Sequence, residues 1–247
     1  YPKCGSDGYL YQILERLGHN IIIPLPDLVG LKTKENVKVL KGVRSDALVT
    51  HFENGMMVRK EVGEIQHNED SISGICIMQL SSKIVRGLDK NLEEEIHINY
   101  VHDIAKTKEK FLNFLYTQNK LLDGPLIASI LDQVLNYKLT NYFLKTLKIP
   151  NLPIDKISYE KLLSLSENIT NFKLTIIGDN GFSSSQVTSG GVSLSDININ
   201  TLESKKVNNL YFCGEVLDVS GDCGGYNLAF AFLSGIIAGK SVGDNKK

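Results

Sequence analysis

The segment that most constrains this chain is Asn209-Leu-Tyr-Phe-Cys-Gly-Glu-Val-Leu-Asp-Val-Ser-Gly-Asp-Cys-Gly-Gly-Tyr-Asn-Leu. Its first part, Leu210–Cys213, reads as a strand that runs into Gly214-Glu215. An acidic loop with Asp218, Gly221 and Asp222 follows. Gly224-Gly225-Tyr226-Asn227 then opens an apolar helix that reaches about Gly239. The order is strand, carboxylate at the strand end, glycine turn, helix N-terminus. Glycine lets backbone approach a ligand without a Cβ in the way. The unpaired N–H groups of a helix start carry partial positive charge and suit an anion or an electron-rich carbonyl. In an open α/β sheet, ligands sit at the carboxyl ends of strands, where Glu215 falls. A lone Gly-Gly is ordinarily a surface turn before a core helix. Its conjunction with Gly-Glu and the acidic loop argues for a binding site.

The rest of the sequence bounds what that site can serve. A chain of 247 residues suits one large domain or two modest ones. With 27 basic and 28 acidic residues it has no long-range attraction for nucleic acid or anionic lipid, and neither is expected as a partner. The longest apolar stretch, Leu228–Ala238, includes Ser234 and Gly235 and falls short of the ~18–20 residues that cross a bilayer. Cysteines 4, 76, 213 and 223 form no Cys-x-x-Cys pair, which excludes a zinc knuckle and a thioredoxin-type dithiol. Cys213 is expected to be inert in a buried strand and Cys223 to be a small packing residue. Histidines 19, 51, 67, 97 and 102 show no ligand spacing, so no metal is expected. His51 and His67 are candidate proton donors, set against a plain structural role. No Gly-x-Ser-x-Gly elbow points to acyl transfer or hydrolysis. A reducing, cytoplasmic setting is expected. The opening Tyr1-Pro-Lys-Cys-Gly-Ser-Asp-Gly8 carries no signal-peptide pattern and reads as the middle of a longer protein.

Texture changes along the chain. Tyr9–Leu17 has helical spacing, with Ser6 or Asp7 as cap and Gly18 past its end. Ile21–Ile23 is β-branched, and Pro24 and Pro26 are expected to break it. From Leu31 to Gly63 the pattern is strand-like, and Asn54-Gly55 marks a hairpin. Ile72–Leu88 reads as a helix weakened by Gly74, and Glu93–Val101 as a strand. Asp103 is expected to cap a helix to about Asn119, Pro125 to open another through Leu135, and Tyr159–Leu165 to form a short one. Strand texture returns at Lys173–Ile177, Gln186–Thr188 and Val207–Cys213, and Lys246-Lys247 reads as a frayed tail.

The C-terminal segment, Gly214-Glu215-Val216-Leu217-Asp218-Val219, Gly221 and Cys223-Gly224-Gly225-Tyr226-Asn227-Leu228, closely resembles the signature of the HI0933-like flavoproteins, also described as aminoacetone oxidase-like or BaiN-like. Thr188-Ser189-Gly190-Gly191-Val192 matches the family's Thr-x-Gly-Gly-Val, and Tyr1-Pro2, Gly5-Ser6-Asp7-Gly8 and Leu17-Gly18-His19 match the stretch after its first nucleotide-binding half. Gly63-Glu64-Ile65, Ser73-Gly74-Ile75 and Gln79-Leu80-Ser81 resemble its insert motif. The resemblance runs through the whole chain in order. Tyr9-Leu10 and Gln66-His67-Asn68 depart from it, standing where a small residue with glycine and an aromatic run are usual.

The resemblance implies an α/β plus β architecture: part of an FAD-binding Rossmann-like domain, residues 1–25 and 187–247, holding an inserted β-barrel-like domain, 26–186, with β-rich parts at 26–102 and 166–186 and a helical cluster at 103–165. It implies FAD as cofactor, with NAD(P)H as a candidate electron donor, and a small organic substrate, by amine oxidation or by reduction of a conjugated double bond. Gly214, Glu215, Val216 and Asp218 would run along the ribityl chain or pyrophosphate, and Gly224, Gly225, Tyr226, Asn227 and Leu228 would face the pyrimidine edge of the flavin. No catalytic side chain is assigned, since the redox chemistry belongs to the cofactor. The chain has no Gly-x-Gly-x-x-Gly, a fingerprint the family carries in a segment preceding this one. The expectation is the C-terminal two-thirds of an FAD-dependent oxidoreductase, partnered by its missing N-terminal segment. The alternative is a non-catalytic remnant that keeps the fold and binds no FAD alone.

Overall fold

Alternating buried and exposed positions along the β-branched stretches set the architecture. The structure, a computed structural model, describes Pro2 and residues 5–244, except the side chain of Asp244. Cys4, Tyr1 of the opening motif and the Lys246-Lys247 tail lie outside the described residues. The backbone divides into two compact units, one of residues up to Val29 with those from Asn180 onward, the other Gly30–Asp179.

The second unit is a closed antiparallel barrel, ordered β2-β5-β4-β3-β6-β7 and back to β2. Its strands are β2 (Leu31–Thr33), β3 (Arg44–Glu53), β4 (Met56–His67), β5 (Ser71–Ser73), β6 (Glu94–Asn99) and β7 (Phe172–Asp179). The hairpin between β3 and β4 turns at Asn54 and Gly55, which take φ of 49° and 75°, the left-handed pair that a two-residue turn demands. Inward positions Ala47, Val49, Ile65, Ile72, Ile96, Ile98 and Leu174 are fully buried. Helix α2 (Ile75–Asp89) packs on β4 with Ile77, Leu80 and Ile84 buried. Gly74 is its N-cap, not a weakness within it. Its φ is 103°, and a Cβ there would stand 2.3 Å from the Glu64 carbonyl oxygen.

The helical cluster is α3 (Lys108–Leu121), α4 (Ile127–Leu131), α5 (Tyr137–Thr146) and α6 (Tyr159–Thr170). Thr107, not Asp103, caps α3, its hydroxyl accepting the Lys110 amide. The reason is local: the amides of Ile104 and Ala105 both turn back to the Val101 carbonyl, so the chain cannot yet enter the helix. Helix α6 continues past Leu165 because Ser166 and Thr170 donate their hydroxyls to the carbonyls of Leu162 and Ser166 and can be buried. Tyr100, Phe143 and Phe172 meet at ring centroids 5.5–6.0 Å apart and join the cluster to the barrel.

The first unit is built from α1 (Tyr9–Arg16), the antiparallel pair β1 (Ile21–Asp27) and β8 (Val187–Val192), and α7 (Tyr226–Asp244). Strand β1 continues through Pro24 and Pro26, which the sequence expects to end it. The register shifts between Ile22 and Leu25, and such an irregular, two-stranded edge tolerates proline. The unit boundaries at Val29 and Asn180 follow from this longer strand, a few residues away from 25 and 187. Gly190 is required at its place: φ is 97°, and a Cβ would meet the Ile23 carbonyl oxygen at 2.4 Å. The strand expected at Val207–Cys213 is absent. Tyr211 makes one isolated bridge to Glu203, and Phe212 and Ser204 direct their amides to the carbonyls of Leu202 and Leu210 in a local knot. Cys213 is accordingly exposed and not inside a buried strand. The small core comprises Leu14, Val192, Ile197, Leu202, Phe212, Leu217 and Ala238.

Candidate functional site

The segment from Gly214 to Leu228 folds as a tight turn, an acidic loop and a helix start. Gly214–Val216 is a single 3-10 turn whose first residue has φ of 70°. The Gly214 amide donates to the Ser234 hydroxyl at 2.9 Å, which docks the turn on α7. One carboxylate oxygen of Glu215 accepts the Thr188 amide at 2.6 Å and ties the turn to β8. The Asp218 amide donates to the Val192 carbonyl at 2.9 Å, so the loop starts from a fixed point. Asn227 closes it: its side-chain oxygen accepts the Gly221 amide and its side-chain nitrogen donates to the Gly221 carbonyl, each at 2.8 Å. Two such bonds to the backbone of one residue hold the loop against the helix start.

Gly224 and Gly225 follow with φ of 123° and 91°, conformations that side chains strain to adopt. No atom lies within 4 Å of where a Gly225 Cβ would stand. The Ala229 amide reaches back to the Gly225 carbonyl at 3.0 Å, so the amides of Tyr226, Asn227 and Leu228 precede that bond. Beside this start lies a cleft of about 380 Å³, lined among others by Glu215, Asp222, Cys223, Gly224, Gly225 and Leu228. A second cleft, about 570 Å³, has Glu215 in its wall as well, with Tyr9, Leu10, Tyr11, Phe182 and Val216.

Most residues expected at a cofactor therefore gather around one carboxylate. Glu215, Gly224, Gly225, Asn227 and Leu228 line the first cleft, and Val216 faces the second. Gly214 is buried beneath the turn. Asp218 lines neither cleft, and Tyr226 is outside both and 65% exposed. Leu28, Gln186 and Phe230 also line the first cleft, and Tyr9, Tyr11 and Phe182 the second, none of them expected there from the sequence. Only tertiary contact brings these together, although the apolar start of α1 was readable as a surface in search of a partner.

Electrostatically the clefts are acidic. Burial raises the Cys223 thiol, and Asp222 and Asp27 raise it further, which favours its protonated form. Burial, then Glu215, raises the Tyr11 phenol, which stays a neutral donor. His51 and His67 belong to the barrel unit and are fully buried. His51 bonds to the equally buried Glu94, and His67 to the Tyr100 hydroxyl at 3.0 Å. Burial lowers His67 to about 4. Among the described residues no group of three His, Cys, Asp or Glu could hold a metal ion, and no helix is long and apolar enough to cross a membrane.

Comparison with known proteins follows the same line. A family model described as the HI0933-like protein Rossmann domain matches residues 1–241. The 3-dehydro-bile acid delta(4,6)-reductase of Clostridium scindens is 32% identical over 250 residues, covering 98% of this chain and 59% of that protein. The ribosomal RNA dihydrouridine synthase of Escherichia coli is 28% identical over 237 residues, 94% of this chain and 56% of that protein. The synthase of the same name from Haemophilus influenzae is 26% identical over 241 residues, 98% of this chain and 57% of that protein. The chain thus spans less than two thirds of the length of these relatives.

Proposed function

We propose, since this chain belongs to the HI0933-like family, that it forms part of an FAD-dependent oxidoreductase that reduces a carbon–carbon double bond conjugated to a carbonyl. The observation that carries the reading is the glycine-lined cleft at the start of α7, with Glu215 at its side. The names of the relatives favour reduction over amine oxidation. A delta(4,6)-reductase and a dihydrouridine synthase both describe hydrogen added across such a bond.

The residues fit one half of FAD. Gly224 and Gly225 present backbone with no Cβ in the cleft, which suits a flat ring laid against it. The amides of Tyr226, Asn227 and Leu228 open a helix and favour charge building up at a ring carbonyl. Glu215 and Asp222 are acceptors for hydroxyl or ring N–H groups. The same two carboxylates repel a pyrophosphate, so the ribityl chain and pyrimidine edge belong in this cleft and the phosphates elsewhere. Bound FAD in its reduced form would supply the hydride, with NAD(P)H as the donor that reduces it. This chain's part is to hold and polarise the ring and to exclude water from it.

The rest of the dinucleotide site, with its glycine fingerprint, is assigned to the length that the relatives have and this match does not cover. Unpartnered apolar surface on α7 supports that: Leu228, Phe232, Leu233 and Ile236 are 54–72% exposed, though a helix apolar on all sides is normally buried. The test is an absorption spectrum and FAD titration of the full-length protein, beside the Gly225→Val variant. A flavin spectrum, with uptake weakened about tenfold or more in Gly225→Val, is the expected result. Protein that is colourless and takes up no FAD returns the remnant reading.

A further inference from the structure

The second cleft shares Glu215 and Val216 with the residues expected along the cofactor, and the rest of its lining has no part in the reading of the first cleft. Its walls are Tyr9, Leu10, Tyr11, Pro24, Phe182 and Val216, an aromatic and aliphatic lining, and at about 570 Å³ it is the size that holds a small organic molecule. It belongs wholly to the first unit. It shares the Glu215 wall with the first cleft, so a molecule in it lies next to whatever the first cleft holds.

Its charge is one-sided. Asp7 and Glu215 line it, and among the described residues no Lys, Arg or His does. The carboxylates are held in place: Asp7 accepts the Tyr9 amide at 2.9 Å, and Glu215 accepts the Thr188 amide at 2.6 Å. An anionic group entering this cleft meets fixed negative charge with no counter-ion among the described lining residues. The polar donor is the Tyr11 hydroxyl. Its one described bond, to the Glu215 backbone oxygen, is 3.5 Å, long for an O–H donor, which leaves it able to turn to a better acceptor.

Resting on the reading of the first cleft as the flavin site, we propose that this second cleft is the substrate site and takes a flat, uncharged ring ketone whose carbonyl accepts the Tyr11 hydroxyl. Asp7 and Glu215 exclude anionic analogues. Aromatic walls supply contact area to a flat ring, and a donor at one end fixes which way round it lies. A polyanion such as an RNA strand does not suit this cleft.

The test uses matched probes on the purified protein: 2-acetylnaphthalene, its 6-carboxylate analogue, and 2-ethylnaphthalene, with affinities from calorimetry or fluorescence. The ketone is expected to bind about tenfold tighter than its carboxylate, the effect of roughly 1.4 kcal/mol of charge repulsion. Asp7→Asn should narrow that gap by strengthening binding of the carboxylate. Tyr11→Phe should weaken the ketone several-fold and leave 2-ethylnaphthalene unchanged. A carboxylate that binds as well as the ketone, or a Tyr11→Phe loss equal for ketone and hydrocarbon, overturns the proposal. FAD titration without probe is read separately. FAD uptake with no preference among the probes sinks the substrate cleft alone, and probe preference without FAD uptake sinks the cofactor reading alone.

Discussion

The two units of this chain solve the same packing problem with opposite completeness. The barrel unit closes its sheet on itself and leaves no unpaired run of edges around its core. The Rossmann-side unit has a two-stranded sheet, a small core and a helix with large apolar residues in solvent. A closed barrel carries its own stability because every strand has two neighbours. A partial α/β layer does not, and its surplus apolar surface and open clefts are where binding is proposed. Stability and function are therefore expected to respond to substitutions in different places.

The largest effect should come from Gly74→Ala. With φ at 103° and the carbonyl oxygen of Glu64 2.3 Å from the new Cβ, α2 cannot start where it does. A loss of about 5 kcal/mol or failure of the barrel to fold is expected by calorimetry. Near-native melting would show that the barrel is less tightly specified than its closure implies. His51→Leu comes next. It strands the Glu94 carboxyl, which is fully buried, and should cost roughly 3–5 kcal/mol in denaturant unfolding. Should Glu94→Gln cost nothing, the pair is no part of what separates the two units.

His67 sharpens the comparison through pH. Its folded value of about 4 lies below the ordinary 6.5, so the unfolded chain binds the proton more readily. The stability this neutral side chain brings is complete above pH 6.5 and falls away as pH drops toward 4, by roughly 3 kcal/mol. His67→Gln should flatten urea midpoints over that window, and an unchanged slope would show that His67 does not titrate with folding. The smallest effect belongs to the open unit. Phe232, 72% exposed on α7, can become Ser within about 0.5 kcal/mol while binding of a hydrophobic dye decreases. A large loss of stability would mean that this face is already covered.

Much of this was legible in the chain because it depends on near neighbours. The Asn54-Gly55 hairpin follows from two residues that tolerate positive φ, and α1 and α2 follow from apolar spacing. Gly74 was misread as a defect because nothing in its neighbours reveals that the Glu64 backbone passes 2.3 Å away. The absent strand at Val207–Cys213 was misread because apolar and aromatic residues specify a strand only if a partner edge accepts them, and here the amides have local acceptors instead.

For the site, the order Gly-Glu, acidic loop, Gly-Gly-Tyr-Asn was enough to locate the helix start and its carboxylate. It was not enough to assign each side chain a task. Asn227 was expected to face the flavin edge, and the clamp that its side chain makes on Gly221 was not foreseen. What the amino-acid order determined was therefore local: which residues turn, which start helices, and which family the motifs match. Tertiary structure alone decided that Glu215 stands between two clefts, and that the α1 residues Tyr9 and Tyr11 face Phe182 across one of them. The physical reason is range. Backbone dihedral preference acts over a few residues, whereas a cleft is made by segments nearly the whole chain apart whose meeting is set by burial, not by spacing.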